Sequence, residues 1–130
     1  GHLLVGDNIG LHKVSPDSRQ VLLSAKLGSV STLSAEGDAI YVGIGDESHG
    51  TTRITAISGH SLEPQFEFEM PTGEDEINDC ISIAPTVCWS EGVPSMRVFV
   101  LDGESHPIRV FSGTGAFVRS IDRFEALSCV

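Results

Sequence analysis

Carboxylate side chains are the groups in this sequence whose type and spacing most readily suggest chemistry. Four of them fall within six positions of the stretch 71–95, and no lysine or arginine occurs from residue 54 to 96. We expect a solvated loop here, and as a functional site we interpret the cluster as a surface for a basic protein partner or as a cation site. The spacing lacks the alternating ligands and central glycine of an EF-hand. The residues are Glu74, Asp75, Glu76 and Asp79.

Trp89, the only tryptophan, lies in the same stretch within "TVCWSE". A lone tryptophan beside valine and cysteine in a strand commonly packs between sheets, which favours a core position. The alternative is a partner contact next to the acidic cluster, and we include Trp89 among the candidate partner-binding residues on that ground.

Two histidines occupy similar acidic turns, His49 in "DESHG" and His106 in "GESHP". With Asp46 and Asp102 they are candidate residues of a shared rim; a ring of metal-ligating imidazoles is the alternative, and we predict no metal. Asp102, Ser105 and His106 share one turn, where three such residues cannot point at one another as a catalytic triad must. The sequence therefore predicts no catalytic residues and no cofactor.

Charge and cysteine content exclude further classes. The net charge of −10, from 18 acidic and 8 basic residues, argues against nucleic-acid binding, and no apolar run is long enough to predict a membrane span. Cys80, Cys88 and Cys129 lack metal-ligand spacing. We expect reduced, mostly buried thiols and an intracellular, cytoplasmic protein, with a disulfide or zinc site as the alternative.

Short apolar and β-branched segments separated by Gly, Pro, Asp, Asn and Ser predict an all-β protein of one domain. "SIDRFEALSCV", from residue 120 to 130, is the only arguable helix. The segments that predict strands are 2–7, 20–27, 29–34, 39–45, 52–58, 65–70, 96–102, 107–112 and 116–121.

Three passages repeat one pattern, residues 3–15, 40–58 and 98–112. Each has an apolar strand, an acidic turn, a second strand with one basic residue, a closing serine and then a third strand. The glycine offset from 6 to 43 is 37 residues, whereas the equivalent offset from 43 to 101 is 58, so the third unit has 21 extra residues. This excess lies between 71 and 95. Units of this spacing are typical of β-propeller blades.

The segment "VFVLDGESHPIRVFSGTGAFVRSI" resembles an NHL-type repeat, and "TRITAISGHSLEPQFEFEMPTG" is similar to blades of quinoprotein-like propellers. A WD-repeat likeness is weaker, since no Trp-Asp pair closes a unit. The resemblance implies about three antiparallel four-stranded blades, with units at about 1–27, 28–72 and 73–122.

Propellers have four to eight blades, so three do not close a ring. Written head to tail, "RFEALSCV" followed by "GHLLVGDNIGLHKVS" makes a continuous blade, so we expect 123–130 to complete the first blade of a neighbour. Either two copies form a six-bladed homodimeric ring, or further chain completes the propeller.

These observations favour a non-catalytic β-propeller scaffold that mediates protein–protein interaction through its loops. The alternative is an enzyme, or a small-ligand or metal-binding propeller, with its site at the mouth of the central channel. In that alternative His49 and His106 point inward.

Overall fold

The computed structural model describes residues 2–46, 50–69, 80–102 and 108–121. This part of the chain is all-β, as the sequence predicts, and it contains no helix that is long and apolar enough to cross a membrane. Its strands are β1 (Leu3–Gly6), β2 (Gly10–Val14), β3 (Val21–Lys26), β4 (Val30–Glu36), β5 (Ala39–Asp46), β6 (Gly50–Ser58), β7 (Pro64–Glu69), β8 (Cys80–Ser90), β9 (Val93–Asp102), β10 (Ile108–Ser112) and β11 (Phe117–Ile121).

The strands form three antiparallel sheets in which neighbours in sequence pair with each other. The first sheet has three strands in the order β1-β2-β3, the second has β4-β5-β6-β7, and the third has β8-β9-β10-β11. Consecutive pairing of this kind follows from the short polar turns between the apolar segments.

The second sheet lies between the other two, because its side chains alternate between two separate cores. Tyr41 of β5 packs with Val98 and Phe111 of the third sheet. Its neighbour Val42 packs with Leu11 of the first sheet. The middle sheet therefore packs against both of the others, and each outer sheet has one face that points away from it.

β8 and the start of β9 were not predicted, because the sequence analysis places no strand in residues 71–95. Ile83 and Pro85 are buried while Ala84 and Thr86 are exposed, which is the period-two alternation of a strand. β8 turns into β9 through Glu91 and Gly92, both at positive φ, the backbone of a two-residue hairpin turn. A solvated loop is therefore wrong for residues 80–95.

The connection between the first two sheets is closed by hydrogen bonds. The N–H groups of Leu27 and Gly28 both donate to the carbonyl of Ile9, at 3.1 and 3.0 Å. The Arg53 guanidinium donates to the carbonyl of Leu27 over 2.7 Å, and the N–H of Gly45 donates to Ser29. The connection 27–29 is thus fastened to both sheets.

Candidate functional site

The outer face of the first sheet presents large apolar side chains to solvent. Alternation along β1 turns Leu4 toward the second sheet, where it packs on the core, and turns Leu3 and Val5 away from it. Leu3 is 55% exposed and Val5 46% exposed. The residues of this outer face, a name used below for this set alone, are Leu3, Val5, His12, Val14, Val21 and Ser24.

β5 and β9 are the counterparts of β1 in the other two sheets, because each pairs with the strand that follows it at equivalent positions. They show how buried such positions are when another sheet covers them. Val5 lies opposite His12, Val42 lies opposite Thr55, and Val100 lies opposite Arg109. Val42 and Val100 are fully buried, against the first and second sheet respectively. The same holds for Ile40 and Val98, which match Leu3 in position. Only in the first sheet are these positions open to solvent.

Three polar side chains form a hydrogen-bonded chain across this face. His12 Nδ1 lies 2.8 Å from Ser24 Oγ, and His12 Nε2 lies 2.8 Å from Asp7 Oδ2. β2 supplies the imidazole, β3 supplies the hydroxyl directly opposite it, and the β1–β2 turn supplies the carboxylate. The imidazole is thereby fixed on both sides.

The turn geometry holds Asp7 in place. Its Oδ1 accepts the N–H groups of Ile9 and Gly10, at 2.8 and 2.9 Å, as aspartate side chains do in tight turns. The backbone N–H of Gly10, then that of Ile9, hold the pKa of the Asp7 carboxyl below its ordinary value of 3.8; His12 acts in the same direction and desolvation opposes. The carboxylate is therefore ionised and oriented at neutral pH.

This arrangement supports two kinds of chemistry. With Nε2–H donating to Asp7, Nδ1 accepts from the Ser24 hydroxyl, which is the arrangement that activates a serine nucleophile. The same hydrogen bonds also satisfy both ring nitrogens, so a partner could cover this face without burying an unpaired imidazole.

The edge of β1 is a second feature of this region. Within the described ranges, β1 pairs with β2 alone, whereas β5 and β9 each pair on both sides. The extra neighbours are β4 and β8, which also lie against each other between the second and third sheets. An unpaired strand edge exposes N–H and C=O groups that can add another strand.

Trp89 lies at the end of the β8–β9 hairpin and is 68% exposed, so the interpretation of Trp89 as a core residue is wrong. Trp89 pairs with Pro94 near the Glu91–Gly92 turn, and Val93 beside it is exposed as well. This part of β9, from Val93 to Met96, precedes the residues that pair with β10. The hairpin end therefore extends beyond the packed part of the sheet.

Cys88 of β8 is buried and disulfide-bonded, so the expectation of a reduced thiol is wrong for this residue. Cys80 is eight residues away in the same strand, about 26 Å at 3.3 Å per residue, whereas a disulfide needs Cα atoms within about 7 Å. Disulfides persist mainly in oxidising compartments. The intracellular location stays a prediction, and Cys88 weighs against it.

The other predicted site residues are not brought together by the described structure. His49, Glu74, Asp75, Glu76, Asp79 and His106 lie outside the described residues. Asp46 and Asp102 end β5 and β9, but their side chains also lie outside the description. Across the described ranges, no group of three or more His, Cys, Asp or Glu side chains could hold a metal ion.

Asp7, His12 and Ser24 are the residues that the sequence analysis missed as a group. The sequence predicts an acidic turn within residues 3–15, which contains Asp7, but a triad was considered only for the turn at Asp102. The alternation of β2 could have shown that His12 lies on the same face of the sheet as Val14. Nothing in the sequence fixes the β2–β3 register that brings Ser24 opposite His12, because that register includes an irregularity between Lys13 and Val14.

Neither a protein-family model nor a curated protein matches this chain. Its function is therefore inferred from the geometry of the outer face and of the strand edge beside it.

Proposed function

We propose that this protein is a β-propeller-type binding scaffold that mediates protein–protein interaction and has no chemistry of its own. Its binding surface is the outer face of the first sheet. The observation that supports this most is the contrast in burial between Leu3 and Val5, which are about half exposed, and their counterparts in β5 and β9, which are buried.

The apolar side chains of the outer face favour a protein partner over a small ligand. Burial of a valine or leucine side chain contributes roughly 1.5–3 kcal/mol, and Leu3, Val5 and Val21 lie on one side of one sheet. The partner must present a comparably flat apolar surface. A second β-sheet meets this requirement, because sheets pack face to face about 10 Å apart.

A partner can cover the polar residues of the outer face without leaving their hydrogen-bonding groups unpaired. His12 is the one imidazole of this face, and its two ring nitrogens are already paired with Ser24 and Asp7. A buried polar group without a partner costs about 1–3 kcal/mol. A partner that covers His12 therefore leaves neither ring nitrogen unpaired, and most of this free-energy cost is avoided.

Trp89 is the second proposed contact, at the exposed end of the β8–β9 hairpin. Tryptophan is enriched among the residues that dominate binding energy at interfaces. In this proposal Trp89 contacts the partner, and the acidic residues 74–79, which precede β8 in sequence, attract its basic groups.

Site-specific photo-cross-linking tests the proposal. A benzophenone side chain that replaces Leu3 should form an adduct with a defined protein in the producing cells, identified by mass spectrometry. The same side chain at Glu36, which is exposed on the β4–β5 hairpin, is the matched control. Equal adducts at both positions, or no adduct at position 3, would rule out the outer face as the binding surface.

The Asp7–His12–Ser24 chain favours one alternative, a serine hydrolase. A fluorophosphonate probe loses fluoride to an activated serine and forms a phosphonate ester. Labelling of Ser24 in the wild-type protein, with loss of labelling in His12→Ala, would support a hydrolase. An unlabelled protein favours the scaffold.

A further inference from the structure

We propose that the end of the β8–β9 hairpin binds a basic, extended segment of a protein partner, in which an arginine or lysine side chain stacks on Trp89 and is attracted by Glu36. This inference deepens the contact proposed for Trp89 and rests on the scaffold function. It names the chemistry of the segment that this part of the scaffold recognises.

Trp89 lies on the side of the third sheet that faces the second sheet. Ile83 packs with the second sheet, and Val87 and Trp89 follow it at even spacing along β8, so alternation puts all three on one side. Pro94 of β9 lies directly opposite Trp89 and therefore shares this side. A further sheet packed on the other side of the third sheet would leave Trp89 open.

The β8–β9 hairpin extends past the end of the second sheet. Val98 and Ile40 occupy equivalent positions in β9 and β5. From Val98 back to Val93, five further residues of β9 pair with β8, whereas before Ile40 only Ala39 pairs with β4. The difference of four residues corresponds to about 13 Å at 3.3 Å per residue. One sheet therefore forms a step above the end of the other.

The wall of this step is apolar and uncovered. Val87 is 39% exposed, Trp89 is 68% exposed, and Pro94 is exposed as well; these three residues are called the overhang below. Met96 still has a neighbour, because its carbonyl accepts the N–H of Gly113 over 3.1 Å. The overhang begins where this cover ends.

A carboxylate lies at the foot of the step. Ala39 packs against the core between the second and third sheets, and Glu36 lies directly opposite Ala39. Glu36 therefore shares the side that faces the third sheet, and it is exposed. Its strand β4 lies against β8. The step thus has an indole on its wall and a negative charge at its foot.

This combination selects a cationic side chain. The face of an indole attracts a guanidinium or ammonium group more strongly than other aromatic rings do, and charges interact over the roughly 8 Å Debye length of physiological salt. The chain has no lysine or arginine from residue 54 to 96, so the hairpin does not provide the cation itself. Val87 and Pro94 can contact the aliphatic stem of such a side chain.

The dimensions of the step suit an extended chain. Neighbouring extended chains lie about 4.8 Å apart, so a step of about 13 Å has room for one of them. A folded domain could reach Trp89 only by presenting such a segment at its surface.

A synthetic peptide provides the test. The probe is acetylated and amidated Ser-Val-Arg-Val-Ser, and its control has citrulline, the uncharged isostere, in place of arginine. Because Trp89 is the only tryptophan, its emission reports on the overhang alone. The arginine peptide should give a saturable blue shift, and the citrulline peptide should bind about fivefold more weakly, as expected for the loss of one cation–π contact.

Three variants locate the contact, with binding measured by the anisotropy of a fluorescein-labelled arginine peptide. Trp89→Leu keeps an apolar side chain and should raise the Kd about fivefold. Glu36→Gln should raise it about threefold for the arginine peptide and leave the citrulline peptide unchanged. Glu63→Gln is the matched control, since it removes an exposed carboxylate from the β6–β7 turn and should bind like the wild type. Circular dichroism checks that each variant keeps its fold.

Four results would overturn the proposal. They are the absence of saturable binding, equal affinity for the arginine and citrulline peptides, unchanged binding by Trp89→Leu, and equal effects of Glu36→Gln and Glu63→Gln. Phosphatidylcholine vesicles are measured in parallel. A blue shift with vesicles and none with the arginine peptide would assign the overhang to a membrane surface instead.

The scaffold proposal fails separately, when the cross-linker at Leu3 gives no adduct. Replacement of Glu36 by the cross-linker removes the carboxylate on which the basic segment depends, so position 36 still serves as the control for the outer face. Peptide binding without an adduct at Leu3 would therefore retain the hairpin site and reject the outer face.

Discussion

The hydroxyl of Tyr41 donates a hydrogen bond to the carbonyl of Gly113 over 3.1 Å and so joins the second sheet to the third. Tyr41 is buried, and burial raises the pKa of its phenol above the ordinary value of 10.0, so the group stays a neutral donor at physiological pH. It is a direct polar link beside the apolar core that these two sheets share.

Tyr41→Phe should therefore lower the free energy of unfolding by about 1 kcal/mol, the usual net value of one such hydrogen bond. Urea denaturation followed by circular dichroism measures the change. Tyr41→Leu is the control for lost ring packing and should cost more. Equal stability of wild type and Tyr41→Phe would show that the bond contributes nothing.

Gly6→Ala should destabilise the contact between the first two sheets by about 1–3 kcal/mol, the range for an overpacked core. The added Cβ would lie 2.5 Å from Val30 Cγ1 and 2.9 Å from Val30 Cβ, closer than packed atoms approach. Thermal unfolding gives the loss. Val30→Ala in the same chain should recover part of it, and additive losses in the double variant would contradict this contact as the cause.

Thr55→Val should stabilise the protein by roughly 1 kcal/mol, because a hydroxyl that is buried without a partner carries a desolvation cost. Thr55 is buried, and its Oγ1 has no hydrogen-bond partner among the described residues. Thr55→Ser, which keeps the hydroxyl and loses a methyl group, should be destabilised instead, by about 0.8 kcal/mol. A destabilised Thr55→Val would reveal a partner for that hydroxyl.

The Asp7 carboxylate predicts a pH dependence on the acid side. Its pKa is lower in the folded chain than its ordinary 3.8, so its contribution to stability is complete above pH 3.8 and is lost as the pH falls through the folded value. Asp7→Asn should thus be less stable than the wild type at pH 7, and the difference should shrink below pH 3.8. A difference that does not change with pH would assign the effect to hydrogen bonding alone.

Sequence reasoning predicted most strands from their alternation of apolar residues but missed β8, which contains a proline. β6 and β10 carry apolar residues at every second position, Ile54 and Ala56 in β6 and Ile108 and Val110 in β10. β8 alternates as well but has Pro85 within its run. Proline is depleted in strands, and the 21 extra residues of the third unit predict an insertion at 71–95 instead of a strand. Pairing with β9 over nearly its whole length outweighs this weak local preference.

The candidate site was less predictable than the fold, for a geometric reason. His12 and Ser24 are twelve residues apart in sequence and meet only because β2 and β3 pair in one particular register. The exposure of Trp89 likewise depends on where β10, the strand on the far side of β9, ends at Ser112. Neither the β2–β3 register nor the exposure of Trp89 can be predicted from local composition.

The hydrogen bonds of the connection 27–29 also determine how the protein responds to force. A connection in which Leu27 and Gly28 donate to Ile9, and Leu27 accepts from Arg53, has little freedom to act as a hinge. The first two sheets should therefore move as one stiff body. A partner that pulls on the first sheet would transmit that load to the middle of the molecule instead of peeling the sheet away.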